Sequence, residues 1–440
     1  MTSRFSWLQI RDRAAFVRLT GVLFLVYLAT GLWSPLLAVY SRSLGAATGQ
    51  IGLVLATFQI TNLASQYGWG RFSDRLGRRK PLLLIGTAGM ALAYVGIASA
   101  SQYSWLFAAR ALEGVALSAY STGSLALIGD LLEDQAGRGR LMGTYRTFGS
   151  LAFAIAALTG GWLADSFSLR VPFAIAAQCY LLAFVLGTRI NEPAGNPSPP
   201  LSASERPLAQ RASPAQGRRV TSAAEQPRDT GTSLPASGPA RRALWSFLTL
   251  LCVWMFAMSA VVSLWPVFMA DIGYSKTAIG GLWALAALGE APCMILAGHL
   301  SDRWGRKRVM LTGFVGMSGV YLAYTLSPEL AWIVGVQLVR AFAYAAMEAP
   351  ALLYATELGL RRQRGRLAGL FYSAGSLGAI AGSIAGGIVA QAVGLSNMFR
   401  MAVVLMLGVA LVIGKVMPRL RSVQPDLAVS LGVQEARHEA

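Results

Sequence analysis

The feature that most constrains this chain is a series of twelve apolar stretches, each long enough to cross a bilayer as a helix. They run at about 17–40, 49–71, 81–100, 104–128, 140–163 and 171–189, and after a break at about 244–269, 276–297, 309–326, 329–354, 366–391 and 397–417. A helical span needs about 20 apolar residues. Of 440 residues, 55% are hydrophobic and only 13% charged, against roughly 25% charged in soluble domains. An ordinary soluble domain is excluded. The spans must be helices, because an unpaired backbone N–H or C=O in lipid is too costly to leave.

The formal net charge of +18 would point to nucleic acid if it formed a patch on a soluble fold. Here the basic residues sit between apolar runs. With both termini in the cytoplasm, 31 Lys and Arg fall on the cytoplasmic side and 4 (Arg42, Arg170, Lys276, Arg400) on the outer side. That asymmetry sets the orientation and accounts for the charge without nucleic acid. The expected location is the plasma membrane, multi-pass.

Residues 190–242 contain nine of the 18 prolines and no aromatic residue, so they cannot bury a core and read as a disordered cytoplasmic linker. The expected organisation is a six-helix bundle over 1–189, the linker over 190–242, a second six-helix bundle over 243–418, and a polar cytoplasmic tail over 419–440. Cys179, Cys252 and Cys293 lie inside apolar runs without metal-ligand spacing. No metal, cofactor or second subunit is expected; the chain reads as a monomer in contact with membrane lipid.

Two segments repeat each other at an offset of 228: Gly70-Arg-Phe-Ser-Asp74-Arg75-Leu-Gly77-Arg78-Arg79-Lys80 and Gly298-His-Leu-Ser-Asp302-Arg303-Trp-Gly305-Arg306-Lys307-Arg308. A second pair, Arg138-Gly139-Arg140-Leu141 through Gly160-Gly161 and Arg364-Gly365-Arg366-Leu367 through Gly386-Gly387, repeats at 226. An even number of spans separates equivalent points, so the halves are parallel repeats. The glycines of the first motif permit a tight turn and close helix approach. Its acid can sit near a helix N-terminus of the other half, and its cations can pair with that acid or with lipid phosphates.

The doubled motif in a six-linker-six layout resembles the signature of the major facilitator superfamily. The resemblance implies two six-helix bundles around a central cavity that opens alternately to each side of the membrane. It also implies that the motif loops between spans 2 and 3 and between spans 8 and 9 latch the halves on the cytoplasmic side, with Asp74 as latch carboxylate.

Ionisable groups inside spans are costly and usually functional. The sequence offers Arg110, Glu113, Arg146, Glu290, Arg340 and Glu348. Arg110 and Glu113 share one face of span 4, and Arg110-Ala-Leu-Glu113-Gly114 resembles the family's RxxxG motif, whose Arg is associated with proton coupling. Arg340 falls at the corresponding point of span 10 at an offset of 230. Both histidines, His299 and His438, lie outside the spans, so an intramembrane proton carrier must be a carboxylate, with Glu113 first. Pro292 beside Glu290 is expected to kink span 8. Tyr27, Asn62, Trp254 and Tyr372 are the candidate substrate contacts.

A chain of this kind is expected to be a secondary active transporter of a small solute, not an enzyme, and it lacks the GxxxxGK[ST] loop that ATP-driven pumping would use. Proton-coupled efflux of amphipathic compounds leads, because the chain resembles the drug:proton antiporter branch. The antiporter signature of span 5, Gly-Pro before Gly-Gly, reads Ala156-Ala157 before Gly160-Gly161 here. The alternative is therefore a proton-coupled importer of a sugar, nucleoside or similar solute.

Overall fold

The computed structural model describes residues 12–132, 138–191, 238–357 and 364–417. Within them the chain forms helices α1 (Arg13–Trp33), α2 (Leu37–Ser43), α3 (Thr48–Leu76), α4 (Lys80–Ala98), α5 (Ser104–Leu131), α6 (Arg138–Ser166) and α7 (Arg170–Thr188). The second half repeats the pattern with α8 (Gly238–Val261), α9 (Trp265–Asp271), α10 (Lys276–Trp304), α11 (Arg306–Ala323), α12 (Leu330–Glu357), α13 (Arg364–Val393) and α14 (Leu395–Val416). Most of the expected linker and the whole tail over 419–440 lie outside the described residues. At its far edge the linker reading yields, because α8 already begins at Gly238.

Spans 1 and 7, expected as single helices, are each broken. Helix α1 ends at Trp33 and α2 begins at Leu37, because Pro35 has no N–H to offer the Gly31 carbonyl and its ring crowds that turn. Pro266, in the first turn of α9, likewise has no N–H to offer the Val262 carbonyl, and the chain breaks between α8 and α9. Pro292 behaves differently, lying inside α10 without interrupting it.

Ten helical segments among the described residues are long and apolar enough to cross a membrane. The two expected spans that fall short are α3, which carries Gln59, Asn62, Ser65 and Gln66, and α11, which opens on Arg306-Lys307-Arg308. Both pack as members of their bundles. Polar residues are tolerable in a span that faces protein or a cavity.

Each half has its own core, one built on Tyr94, Phe173 and Tyr180, the other on Trp254, Phe314 and Phe399. The second core also takes in Ala38, Ala46 and Ile51 from the first half, and there the halves meet. Two helix crossings join them, α3 with α13 and α6 with α10. At the first, a Cβ on Gly52 would strike the Ser383 carbonyl and Gly387. At the second, a Cβ on Gly280 would strike the Ala157 carbonyl. Only glycine allows backbones this close.

Among residues with described side chains, hydrogen bonds between the halves run from mid-span to this end. Arg42 pairs with Asp271 at 2.6 Å, and the Gly49 N–H donates to Gln391 Oε1 at 3.1 Å. Asp165 accepts from the backbone N–H groups of Lys276 (3.2 Å) and Thr277 (2.7 Å), from Thr277 Oγ1 (2.7 Å) and from Lys276 Nζ (3.1 Å). Arg170 donates to the Ala100 carbonyl and Arg400 to Thr325 Oγ1. The four cations that the charge count placed outside are thus all engaged in structure.

Towards the other end, which carries both repeated motifs, the same four crossing helices lose their burial. Tyr67 on α3, Ile295 on α10 and Tyr372 on α13 are each at least 60% exposed, and Arg146 and Phe148 on α6 are exposed as well. The halves are closed at one end and parted at the other.

Candidate functional site

Helix α5 carries the most buried charges of the first half. Arg110 Nη1 donates to Glu113 Oε2 at 2.5 Å, with both side chains below 5% exposure. Tyr94 on α4 donates its hydroxyl to Glu113 Oε1 at 2.7 Å, so both carboxylate oxygens are used. The Arg110 guanidinium lies over the Phe58 ring at 4.3 Å and near Trp33 at 5.5 Å. Trp33 is itself held by a hydrogen bond to Tyr180. The cation therefore has one carboxylate and two ring faces, and its Nε is left without a partner. Sequence reasoning found Arg110 and Glu113 but missed Tyr94. A tyrosine deep in an apolar run, whose hydroxyl must find an acceptor, was the available signal.

In the second half, Glu290 on α10 and Arg340 on α12 line one cavity of about 240 Å³, whose walls also include Trp283 and, from the first half, Tyr27, Ser150 and Phe153. Arg340 reaches Gln337 Oε1 at 3.4 Å, and Tyr324 donates to the same oxygen at 3.1 Å. Glu348 accepts from Trp254 Nε1 at 3.3 Å.

Helix packing corrects the expected correspondence between Arg110 and Arg340. In the first half Gly86 packs on Tyr120 and Gly89 on Ala116; in the second, Gly313 packs on Met347 and Gly316 on Ala343. These close approaches align the two helix pairs at an offset of 227 rather than 230. Arg340 is therefore the counterpart of Glu113, Gln337 that of Arg110, and Tyr321 that of Tyr94. Matching like residues misaligned the helices by nearly a turn.

The remaining candidates scatter. Tyr27 lines the cavity. Trp254 is fully buried on Phe314 and Tyr344 and reaches no cavity surface, since depth along a span says nothing about which way a ring points. Asn62 donates to the Gly114 carbonyl at 3.2 Å and accepts from Gln66, tying α3 to α5. Tyr372 is exposed near the parted end, edge-on to Phe371. Arg146 is exposed one turn of α6 from Ser150, towards that end.

The repeated motif is helical for most of its length. Helix α3 continues through Gly70, Asp74 and Arg75, and turns only at Gly77, which caps it in the left-handed conformation (φ 61°). Gly305 closes α10 with φ 88°. Gly70 and Gly298 have open space where a Cβ would stand, so neither makes a close approach in this state. Arg79 donates to Ser73 Oγ, and Arg306 at the start of α11 approaches Asp302 near the end of α10 at 3.6 Å, across the Gly305 turn. Arg75, Arg78 and Arg303 are exposed. The Asp74 side chain is outside the described positions.

Comparison with known proteins agrees with this architecture. The chain matches the Major Facilitator Superfamily over residues 19–289 and again over 246–430. It is 28% identical to a maltose permease of Geobacillus stearothermophilus over 371 residues, covering 83% of this chain and 85% of the permease. It is 24% identical to multidrug resistance protein 2 of Bacillus subtilis (strain 168), covering 86% and 89%. Among solved structures, the nucleoside transporter NupG superposes with a TM-score of 0.72 at 14% identity, covering 92% of this chain and all of that one. Family and relatives are transporters of small molecules, not enzymes. With two parallel six-helix halves, a cavity between them and a family match to each, this chain belongs to the major facilitator superfamily.

Proposed function

We propose that the protein exports amphipathic or drug-like solutes across the plasma membrane in exchange for protons, by rocking of the halves 1–189 and 243–418. The observation that carries the coupling is the dry Arg110–Glu113–Tyr94 cluster. A proton on Glu113 removes the charge that holds Arg110, and the released guanidinium favours a different packing of α5; two such states are what coupling requires. The excess of cations at the motif end supports a cytoplasmic location for it; on that reading the state described above is inward-facing, with the motif latch released. Closing it would bring Asp74, Arg75 and Arg78 against the other half.

Import is the second reading. It draws on the maltose permease, matched over as much of the chain as the multidrug protein, and on Ala156-Ala157 in place of the antiporter signature.

Proteoliposomes with an imposed pH gradient and a panel of cationic dyes, sugars and nucleosides separate the two by whether solute moves against the proton or with it. Glu113→Gln is expected to abolish gradient-driven transport while retaining solute binding. Solute-dependent proton movement at the wild-type ratio in Glu113→Gln would leave Glu113 as no more than a structural partner of Arg110.

A further inference from the structure

The two halves treat one repeated position in opposite ways. On α5 the pair Arg110 and Glu113 cancels its own charge, and both side chains are shut away from the cavity. On α12 the same two places hold Gln337 and Arg340. The acid has become a cation and the cation a neutral amide. Arg340 keeps a full charge that its own helix does not compensate, and among described residues no carboxylate lies within 4.0 Å of it. Glu290, on the facing helix α10, is a carboxylate in the same situation. Both side chains line the same cavity yet do not close on each other.

Two opposite charges that face each other across a partly enclosed space, neither in ion-pair contact with another described residue, are costly unless something completes them. The cavity walls supply the rest of a binding site. Trp283 lies 5.9 Å beneath the Arg340 guanidinium, and Tyr27 and Phe153 face it from the other half. The volume of about 240 Å³ is just under the roughly 300 Å³ at which ligand pockets usually begin, which suits a solute of one or two rings. Arg146, a turn beyond Ser150, is exposed towards the parted end.

We propose that the transport site takes a zwitterion: Arg340 holds the acidic group of the solute, Glu290 holds its amine, and Trp283, Tyr27 and Phe153 enclose an apolar ring. This rests on the transporter reading and adds the charge class of its substrate. A guanidinium offers paired N–H groups matched to a carboxylate, phosphate or sulfonate. Because the walls come from both halves, such a solute contacts each differently in the two states of the cycle, which is the condition for driving the change.

The test uses one ring system in four charge states: tryptophan (both charges), tryptamine (positive), indole-3-propionate (negative) and tryptophol (neutral). Each is titrated by calorimetry into the purified full-length protein and then offered in a counterflow assay in proteoliposomes. Tryptophan is expected to bind at least about tenfold more tightly than tryptophol. Gln337→Glu, the same shape with one charge added, gives Arg340 the partner that Arg110 has. It should erase the advantage of both acid-bearing probes and leave tryptophol unchanged. Arg340→Lys should retain part of that advantage, and Glu290→Gln should erase only the contribution of the amine. Equal affinities across the series, no binding at millimolar concentration, or an acid preference that survives in Gln337→Glu would each overturn the proposal. Binding with charge preference but no counterflow would instead retire the transporter reading and leave the site standing.

Discussion

The two crossings that close the molecule are copies of one another, and they have diverged most clearly in charge. Gly52 against Gly387 in one is Gly280 against Gly161 in the other, at the same repeat offsets of 228 and 226. The residue one turn beyond also corresponds: Gln391 accepts one backbone N–H from the start of α3, whereas Asp165 accepts four hydrogen bonds at the start of α10. Duplication kept the backbone contact and changed the charge. A carboxylate at a helix N-terminus gains from the dipole and from charge-assisted bonds; an amide gains little from either. Shape therefore brings the two ends together equally at both crossings, while electrostatics makes α6–α10 the tighter of the two.

The most drastic way to break the comparison is to remove the shape term. A Cβ on Gly161 would land on the Lys276 carbonyl, so Gly161→Leu should prevent closure of this end and lower transport in proteoliposomes by more than about tenfold, with insertion intact. Asp165→Asn keeps the shape and deletes the charge. Spin labels at Ser101 and Glu329, on opposite halves at this end, should then show the closed population reduced by about tenfold. The reciprocal change sharpens the contrast: Gln391→Asp should lengthen the closed state and slow turnover severalfold, read as a lower exchange rate at unchanged solute affinity. Arg42→Gln should do least, staying within about twofold. That pair is nearly half exposed on both sides, and exposed ion pairs contribute little and are screened by salt.

The spans were legible because lipid imposes a length and an apolar composition on each of them. The halves were legible because the motif recurs, and Arg110 with Glu113 because three residues along one helix leave no choice of face. Contacts between halves left no such trace. Asp165 and Thr277 are 112 positions apart, and neither sits in a pattern that names the other. Arg340 was misaligned for a related reason: residue identity suggested one register, whereas the small residues that let α11 approach α12 set another. Trp254 shows the limit of depth as a guide, since a ring at mid-span can face its own bundle as readily as the cavity.

The interruptions at Pro35 and Pro266 have a mechanical consequence. A continuous helix is a stiff lever, and torque at one end appears at the other. Spans 1 and 7 are instead a shaft and a short tip joined by three residues, 34–36 and 262–264, and the tips α2 and α9 are the parts that touch across the closed end. Compliance is therefore concentrated where the two bodies grip. The shafts can begin to turn while the tips stay clasped, so the load of opening reaches the Arg42–Asp271 clasp after the crossings have started to slide.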